Sequence, residues 1–321
     1  MNTSLQVNGN SRNDRLMPGD LVEVCTAAEI LATLDEKGTL ENLPFMPEML
    51  AFCGRQFRVS RNAFKTCVDD REMRNLIDTV FLEEVRCDGA SHAGCNRGCL
   101  IFWKTAWLKR PGAQSAHAAN TTLTEADLTS LAHRDGQFFC QSTEILNASQ
   151  PLPWWDPKQY LWDFKYNRVS LVLFTRSLFI ALYNKVATRV NLHTWGAVTG
   201  SETPGSNGHK PLNLQPGEFV RVKPLSEIQA TLDPEGKQQN LLFGAPMTKF
   251  CGQVLRVRDR VENIVLEATP RQRKIKDTVV LEGATCDGVC HRLCPRQSLL
   301  FWRECWLERI SAPQGRSIVA D

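Results

Sequence analysis

The sequence lacks the motifs that assign a chain to the best-defined reaction classes. It contains no H-E-x-x-H metalloprotease motif, no glycine-rich nucleotide-binding loop and no G-x-S-x-G nucleophile elbow. Each absence removes one kind of catalytic machinery, and the sequence identifies no catalytic residue. The C-x2-C knuckle of many structural zinc sites is also missing, so any metal site must use wider spacings.

A strong excess of charge is absent as well. The 38 lysine and arginine residues nearly balance the 35 aspartate and glutamate residues, which leaves a formal net charge of +3. A dedicated nucleic-acid binder carries a pronounced basic surface. The basic run at residues 271–276 has acidic neighbours, so we interpret it as a solvated face and do not expect nucleic acid as a partner.

The N-terminal residues lack the apolar h-region of a secretory signal. Residues 1–15 are polar instead, and we predict a disordered tail in a cytoplasmic protein. The chain contains twelve cysteines. In a reducing compartment these favour free thiols, metal ligands or reactive cysteines over a disulfide framework.

Two segments of the chain share one pattern. Both open with P-G-[DE]-x-V-x-V, beginning at Pro18 in one segment and at Pro216 in the other. Both then contain A-T-L-D, F-C-G, D-T-V, C-D-G and F-W-x-x-x-W-L in the same order. Matches of this density over a long stretch indicate an internal duplication. We call the two segments the first copy (16–112) and the second copy (213–312).

Short β-prone runs separated by turn residues predict that each copy is mainly β. The fold class that we expect is α+β, mainly β with a helical middle, containing two small SH3-like β-barrel modules in tandem. Trp103 and Trp107, with Trp302 and Trp306 in the second copy, are predicted core residues. The predicted domains are a tail (1–15), the first copy (16–112), a mainly helical middle segment (113–198), a linker (199–212), the second copy (213–312) and a second tail (313–321).

The middle segment contains one long apolar stretch, residues 169–190. Arg176, Lys185 and Arg189 interrupt it, so we do not expect it to span a bilayer. Two alternatives are open. It forms a helix that packs on a neighbouring domain, or a basic amphipathic helix that makes peripheral contact with a membrane. The second alternative would make the cytoplasmic protein membrane-associated.

The first copy carries a cysteine cluster with residue types that bind metals. Cys87, Cys95 and Cys99 follow one another within a short segment, and Cys67 lies upstream. Four thiolates can complete the tetrahedral site that zinc or an iron–sulfur cluster requires. His92, within the same segment, could replace one of the thiolates.

The second copy carries a related cluster. In an ungapped alignment, Cys286, His291 and Cys294 match three positions of the first cluster. Cys290 lies between them in a C-x3-C-x3-C run. The predicted ligands are therefore the three thiols, with His291 or Cys251 as the fourth ligand.

The two clusters cannot use the same four ligands. Ser298 stands opposite Cys99, and Val265 or its neighbour stands opposite Cys67. The second site is therefore built differently or is degenerate. If it is less complete, it leaves a coordination position open.

Zinc is the metal that we predict first, with an iron–sulfur cluster as the alternative. A zinc ion held by four protein ligands would have a structural role. The competing interpretation is that the cysteines are partly buried free thiols that pack as small hydrophobic residues. Cys140, in the middle segment, could be reactive, but no histidine motif accompanies it.

These motifs together resemble a bacterial family of uncharacterised cysteine-rich tandem-repeat proteins. The resemblance rests on F-C-G from Phe52, C-D-G from Cys87, the following Cys95 and Cys99, and F-W-x-x-x-W-L from Phe102. C-Q-S-T-E from Cys140 and W-W-D from Trp154 are also similar to parts of that family. The resemblance covers most of the chain. It implies a shared architecture and a bacterial cytoplasmic origin, and it carries no established activity.

Two functions from different classes follow from these features. The first is a metal-binding tandem-repeat protein that acts as a binding or scaffold module for a protein partner. The alternative is a metalloenzyme or iron–sulfur redox protein of a biosynthetic pathway, with chemistry on a small-molecule substrate at the second-copy site. The absence of catalytic motifs favours the first function.

Overall fold

The structure, a computed structural model, describes residues 15–68, 72–113, 123–134, 136–202 and 210–311. The predicted tails lie outside these ranges, apart from Arg15, and so does the central part of the predicted linker. Within these ranges the fold is α+β. Small antiparallel sheets make up most of it, and helices lie between them.

The strands are short because turn residues interrupt the β-prone runs every few positions. The first copy contains β1 (Leu21–Val24), β2 (Thr39–Leu40), β3 (Leu43–Pro44), β4 (Gln56–Asn62), β5 (Lys65–Val68), β6 (Glu72–Asn75), β7 (Thr79–Leu82), β8 (Trp103–Lys104) and β9 (Leu108–Lys109). The middle segment contains β10 (His133–Arg134), β11 (Gln137–Phe138) and β12 (Gln150–Pro151). The second copy contains β13 (Phe219–Val222), β14 (Lys237–Gln238), β15 (Leu241–Leu242), β16 (Val254–Arg260), β17 (Asn263–Val265), β18 (Gln272–Lys274), β19 (Thr278–Thr285), β20 (Leu299–Arg303) and β21 (Leu307–Ile310).

The helices begin at residues that can cap them. The α-helices of the described residues are α1 (Ala27–Leu31), α2 (Glu125–Leu131), α3 (Pro157–Asn167), α4 (Leu171–Arg189) and α5 (Leu225–Gln229). Thr26 and Glu29 form a capping box at the start of α1. Ser170 caps α4 by accepting a hydrogen bond from the Leu173 N–H. Short 3-10 helices occupy Pro47–Phe52, Thr105–Trp107, Ala245–Phe250, Val289–His291 and Glu304–Trp306.

The two copies build sheets with the same strand order. The order is β8-β7-β4-β1-β9 in the first copy and β20-β19-β16-β13-β21 in the second. In β1, Val22 and Val24 are buried and Leu21 is exposed, which is the alternation of a strand with one face on the core. Val220 and Val222 are buried in the same way in β13.

Two indoles fill the core of each copy, as predicted. Trp107 donates from its ring N–H to the Thr33 hydroxyl at 3.1 Å, and Trp306 donates to the Thr231 hydroxyl at 3.0 Å. Buried indoles usually have such an acceptor, but the ring N–H groups of Trp103 and Trp302 have no hydrogen-bond partner among the described residues. All four tryptophans are fully buried: Trp103, Trp107, Trp302 and Trp306.

Closed SH3-like barrels are not shown in the described residues. Each five-stranded sheet keeps two edge strands, β8 and β9 or β20 and β21, which are not hydrogen-bonded to each other. Alternating hydrophobicity predicts strands, but barrel closure depends on the pairing of distant strands and on their tilt. Local sequence patterns do not determine those quantities.

The two copies contact each other reciprocally. The cysteine segment of each copy lies against a β-hairpin of the other copy. The Val265 N–H, in β17, donates to Cys95 Sγ at 3.3 Å. In the matching contact, the Cys67 N–H, in β5, donates to Cys294 Sγ at 3.2 Å. Because Val265 aligns with Cys67 and Cys95 with Cys294, the two contacts are equivalent.

Two aligned arginines extend this contact. Arg97 donates to the Val265 carbonyl at 3.2 Å, and Arg296 donates to the Cys67 carbonyl at 3.1 Å. Both guanidinium groups also form ion pairs with the buried carboxylate of Glu267. The interface between the copies therefore has a charged centre, and it lies beside the cysteine segments.

The helices of the middle segment pack on different copies. Asp163 of α3 forms a fully buried ion pair with Lys65 of β5, with 2.5 Å between Oδ2 and Nζ. Ser177 of α4 donates to the Val289 carbonyl of the second copy at 2.9 Å, and Ile180 packs on Val289. The middle segment thus bridges the two copies.

Candidate metal site

The cysteine segment of the first copy is a loop whose shape depends on glycine. The Cys87 N–H donates to the Cys99 carbonyl at 2.9 Å and closes the base of the loop. Gly89 has a φ of +73°, and a Cβ there would lie 2.2 Å from the Cys95 carbonyl oxygen. Only glycine fits such a position. Gly288 repeats this geometry, so the C-D-G motif specifies the loop in both copies.

Three side chains that can bind a metal converge at this loop. Glu48 comes from the 3-10 helix Pro47–Phe52, Cys87 from the base of the loop and His92 from within it. Their ligand atoms all lie within 4.8 Å of one another. Glu48 and His92 are buried, and Cys87 is half-buried. Among the residues that the structure describes, this is the only triad of His, Cys, Asp or Glu ligands that meets this distance.

Glu48 supplies a buried carboxylate with one unsatisfied oxygen. Its Oε1 accepts hydrogen bonds from the Ser91 N–H at 2.9 Å and from His92 Nδ1 at 2.6 Å. Its Oε2 is buried without a hydrogen-bond partner in the described part of the chain. Burial would raise the pKa of Glu48, but the hydrogen bond and charge of His92 outweigh burial and lower it. An ionised, buried oxygen without a donor is costly, and a bound cation would remove that cost.

The imidazole of His92 lies between Glu48 and the middle segment. Its Nδ1 faces Glu48, and its Nε2 faces the Phe139 carbonyl at 3.3 Å. Metal-bound histidines usually donate their second ring N–H to a carboxylate or a carbonyl, which orients the ring. Both kinds of acceptor are in place here. A metal bound at one nitrogen of His92 would leave the other nitrogen with its hydrogen bond.

Three further thiols line a small pocket beside Cys87 and His92. Cys95, Cys99 and Cys140 line it together with Cys87 and His92. The cavity volume is about 30 Å³, which is room for an ion or a water molecule. Burial raises the pKa of the Cys87 thiol far above its usual range, and the Glu48 charge raises it further. Cys87 therefore stays protonated near neutral pH unless a cation stabilises its thiolate.

Cys140 reaches this pocket from the middle segment. Its neighbour Gln141 inserts its side chain into the first copy and donates to the carbonyls of Pro44 at 3.0 Å and Phe102 at 2.9 Å. The side-chain amide oxygen of Gln141 also accepts from the Phe102 N–H at 2.8 Å. These bonds hold Cys140 at the pocket. Burial raises the pKa of Cys140 to about 11.

Cys67, a predicted ligand of the first site, lies elsewhere. It pairs with Cys294 of the second copy in a small apolar cluster with Met73 and Leu152. The hydrogen bond from the Cys67 side chain outweighs burial and lowers the pKa of Cys294, and the Arg296 charge contributes in the same direction. The thiol that spacing assigned to the first site therefore belongs to the contact between the copies.

The second copy does not gather its predicted ligands in the same way. Cys286 Sγ accepts from the Gly288 N–H at 3.4 Å, and burial raises the pKa of Cys290. Cys251 packs half-buried on the core of the second sheet. Within the described residues, no ligand triad with all atoms within 4.8 Å includes a predicted ligand of this copy, whether Cys251, Cys286, Cys290, His291 or Cys294.

One aligned position accounts for much of this difference. Pro246 occupies the position of Glu48, and both residues lie in matching 3-10 helices. Proline offers no ligand atom in its side chain. The second copy therefore has a histidine and thiols in its loop but lacks the carboxylate that completes the triad of the first copy.

The sequence reasoning missed two residues of the site. Glu48 lies 39 positions before Cys87 and belongs to no motif, so spacing could not find it. The available signal was its replacement by Pro246 within an otherwise similar segment. Cys140 was considered as a reactive thiol and not as part of the cluster, because it lies outside both copies.

No protein-family model matches the chain, and neither do the curated proteins or the solved structures with which it was compared. The resemblance to a bacterial cysteine-rich family therefore stays a prediction. The site itself is the basis for a functional conclusion. It is a possible metal site made of Glu48, Cys87 and His92, and the last two residues also line a cysteine-rich pocket.

Proposed function

We propose that the chain is a tandem-repeat zinc protein in which the first copy binds one zinc ion through Glu48, Cys87 and His92. The observation that carries this proposal is the triad itself, whose ligand atoms lie within 4.8 Å of one another. The unsatisfied Oε2 of Glu48 supports it, because a buried anionic oxygen needs a positive partner.

The ligand set and the cavity favour zinc over an iron–sulfur cluster. Zinc accepts mixed oxygen, nitrogen and sulfur ligands in a tetrahedral arrangement. Iron–sulfur clusters are held mainly by cysteine thiolates. The volume of the pocket, about 30 Å³, suits a single ion.

A fourth ligand is available in the same pocket. Cys99 and Cys140 both line it together with Cys87 and His92. With either one, the zinc ion would have four protein ligands and a structural role. Zinc binding through Cys140 would link the middle segment to the first copy. These two parts of the chain are distant in the sequence.

We propose that the tandem copies serve as a binding or scaffold module for a protein partner. In each copy the edge strands β8 and β9, or β20 and β21, are joined by a 3-10 helix at the ends of a five-stranded sheet. This order supports a partly open SH3-like barrel in each copy. Edge strands accept peptide segments in many binding modules, and β21 is the one of these four that has exposed residues, Glu308 and Arg309.

The test is metal analysis of the full chain, purified without oxygen, with an absorption spectrum. We expect colourless protein with about one zinc ion per chain. Cys87→Ser is expected to lose most of the zinc. Its matched control is Cys286→Ser, which removes the aligned thiol of the second copy and should keep the zinc.

Two results would overturn this proposal. Brown protein containing iron and sulfide would show that the chain holds an iron–sulfur cluster instead of zinc. Folded wild-type protein that stays metal-free after incubation with zinc would show that the chain has no zinc site. Circular dichroism of each variant shows whether a loss of zinc arises from the ligand or from unfolding.

A further inference from the structure

The middle segment exposes an unusual amount of apolar surface. Twenty large hydrophobic side chains are exposed in the described residues, and fifteen of them lie between Trp154 and Trp195. Exposed apolar side chains scattered singly are normal, but a contiguous group of this size marks an interaction surface. We call the surface formed by residues 154–195 the apolar helical surface.

Helix α4 forms the centre of this surface and has two unlike faces. Ser177, Ile180 and Ala187 are buried, and the first two contact the second copy. Successive residues of an α-helix are about 100° apart. Phe179 and Val186 therefore lie on the opposite side, where they are 70% and 55% exposed. The helix is docked on one side and unpartnered on the other.

The charges on this surface are all of one sign along α4. The helix contains Arg176, Lys185 and Arg189 and no acidic residue. By the same helical geometry, Arg176 and Lys185 lie on opposite flanks of the exposed apolar stripe. Basic side chains in this arrangement can reach anionic headgroups while the apolar stripe is buried among lipid chains.

Exposed tryptophans border the same surface. Trp155 is 68% exposed, Trp154 is 52% exposed and Trp195 is 51% exposed. The Lys185 ammonium lies 3.4 Å from the centre of the Trp154 ring. Tryptophan is enriched at the level of lipid headgroups, because its ring is apolar and its N–H is polar.

We infer that the apolar helical surface binds the interface of an anionic lipid bilayer, with α4 lying parallel to the membrane plane. The helix is long and apolar enough to cross a membrane by length and composition. It does not cross in this inference, because its other face is packed on the second copy and basic residues interrupt it.

A second copy of this chain is a less suitable occupant. A two-fold contact through α4 would join two helices that each carry Arg176, Lys185 and Arg189 and no acidic residue to neutralise them. Like charges at such a contact are unfavourable. An anionic membrane surface instead attracts each basic residue.

The experiment is flotation of the full chain with lipid vesicles. One set contains phosphatidylcholine with roughly a third phosphatidylglycerol, and the other contains phosphatidylcholine alone. We expect the chain to float with the anionic vesicles, to float much less with the neutral ones, and to be released by high salt. Failure to associate with the anionic vesicles would overturn the inference.

Matched variants locate the binding surface. Phe179→Ser with Leu182→Ser should weaken association by about tenfold or more, because both side chains enter the lipid. The control, Leu242→Ser with Val254→Ser, removes two exposed apolar side chains of the second copy and should bind as the wild type does. Equal binding by the α4 variant and the wild type would show that another surface is used.

The electrostatic contribution has its own pair of variants. Lys185→Gln with Arg189→Gln should weaken binding to anionic vesicles by about fivefold for each charge removed. The control, Arg271→Gln with Lys274→Gln, removes the same charge elsewhere and should have a smaller effect. Sedimentation velocity without vesicles completes the test. A dimer that Phe179→Ser with Leu182→Ser dissociates would assign the surface to a second copy and contradict the membrane inference.

Discussion

The cysteine loops of the two copies share a backbone and differ in their surroundings. Both close through a backbone hydrogen bond of 2.9 Å at the first cysteine, and both turn at a glycine that no other residue can replace. Glu48 completes a ligand triad only in the first copy, because Pro246 stands at the aligned position of the second. The comparison shows that the C-D-G loop alone does not bring a ligand triad together in the described residues. The elements packed against the loop determine whether ligands meet.

The largest expected loss of stability concerns the cores of the two copies and tests whether these cores are equivalent. Trp103→Ala and Trp302→Ala each remove a fully buried indole. We expect each to lower the free energy of unfolding by about 3–5 kcal/mol, because large core truncations leave a cavity. Urea denaturation followed by circular dichroism measures this change. A small effect at one position and a large one at the other would show that the two cores are not equivalent.

The two arginines at the contact between the copies should differ in how much they contribute to stability. Arg296 is buried with Glu267, and the side chain of Arg97 is 25% exposed. Arg296→Gln should lower the free energy of unfolding by about 3–5 kcal/mol, since it removes one partner of a buried ion pair. Arg97→Gln should cost about 1 kcal/mol or less. Denaturant titration of both variants checks the ranking, and equal losses would contradict the asymmetry.

Zinc should stabilise the chain through the first copy alone. At free zinc about 100-fold above the dissociation constant, binding adds about 2.7 kcal/mol to the free energy of unfolding. A chelator should therefore lower the thermal midpoint of the wild type and of Cys286→Ser. It should leave Cys87→Ser unchanged. A chelator effect that disappears in Cys286→Ser instead would move the site to the second copy.

The smallest expected effect concerns the first helix of each copy. Thr26 and Glu29 form a capping box in the first copy, whereas Pro224 caps α5 without a side-chain hydrogen bond. Glu29→Gln keeps a residue type that can form the capping box but removes the ion pair with Lys109, so it should cost about 0.5 kcal/mol, and Glu227→Gln should cost less. Partial burial would raise the pKa of Glu29, but the hydrogen bonds from Thr26 and Lys109 outweigh burial and lower it.

The sign of the Glu29 contribution follows from this lowered pKa. The stabilisation is fully present above the unfolded value of 4.5 and is lost as the pH falls through the lower folded value. The pH dependence of unfolding below about pH 4.5 should therefore be less steep in Glu29→Gln than in the wild type. An unchanged slope would show that Glu29 titrates alike in the folded and unfolded chain.

Part of the fold could be predicted from the sequence, because it depends on local patterns. The strand at Val22 and Val24 and the buried tryptophans follow from alternation and residue size. The placement of one copy against the other could not be predicted in this way. Cys67 looked like a ligand of the nearest cluster, but it contacts Cys294 across the interface between the copies.

Only part of the candidate site could be predicted from the sequence. Cys87 and His92 share one loop, so spacing identified both. Glu48 joins them from a different element, because a 3-10 helix packs against the loop. Cys140 joins them because Gln141 anchors the middle segment to the first copy. Contacts of this kind are tertiary, and a single sequence carries no periodicity that reports them.

The most direct measurement of the central claim is X-ray diffraction from crystals of the zinc-loaded chain at the zinc absorption edge. Anomalous scattering locates the ion independently of any assumption about its ligands. We predict one anomalous peak among Glu48, Cys87 and His92 and none beside Cys286 and His291. A peak in the second copy, or no peak in crystals grown with zinc, would contradict the account.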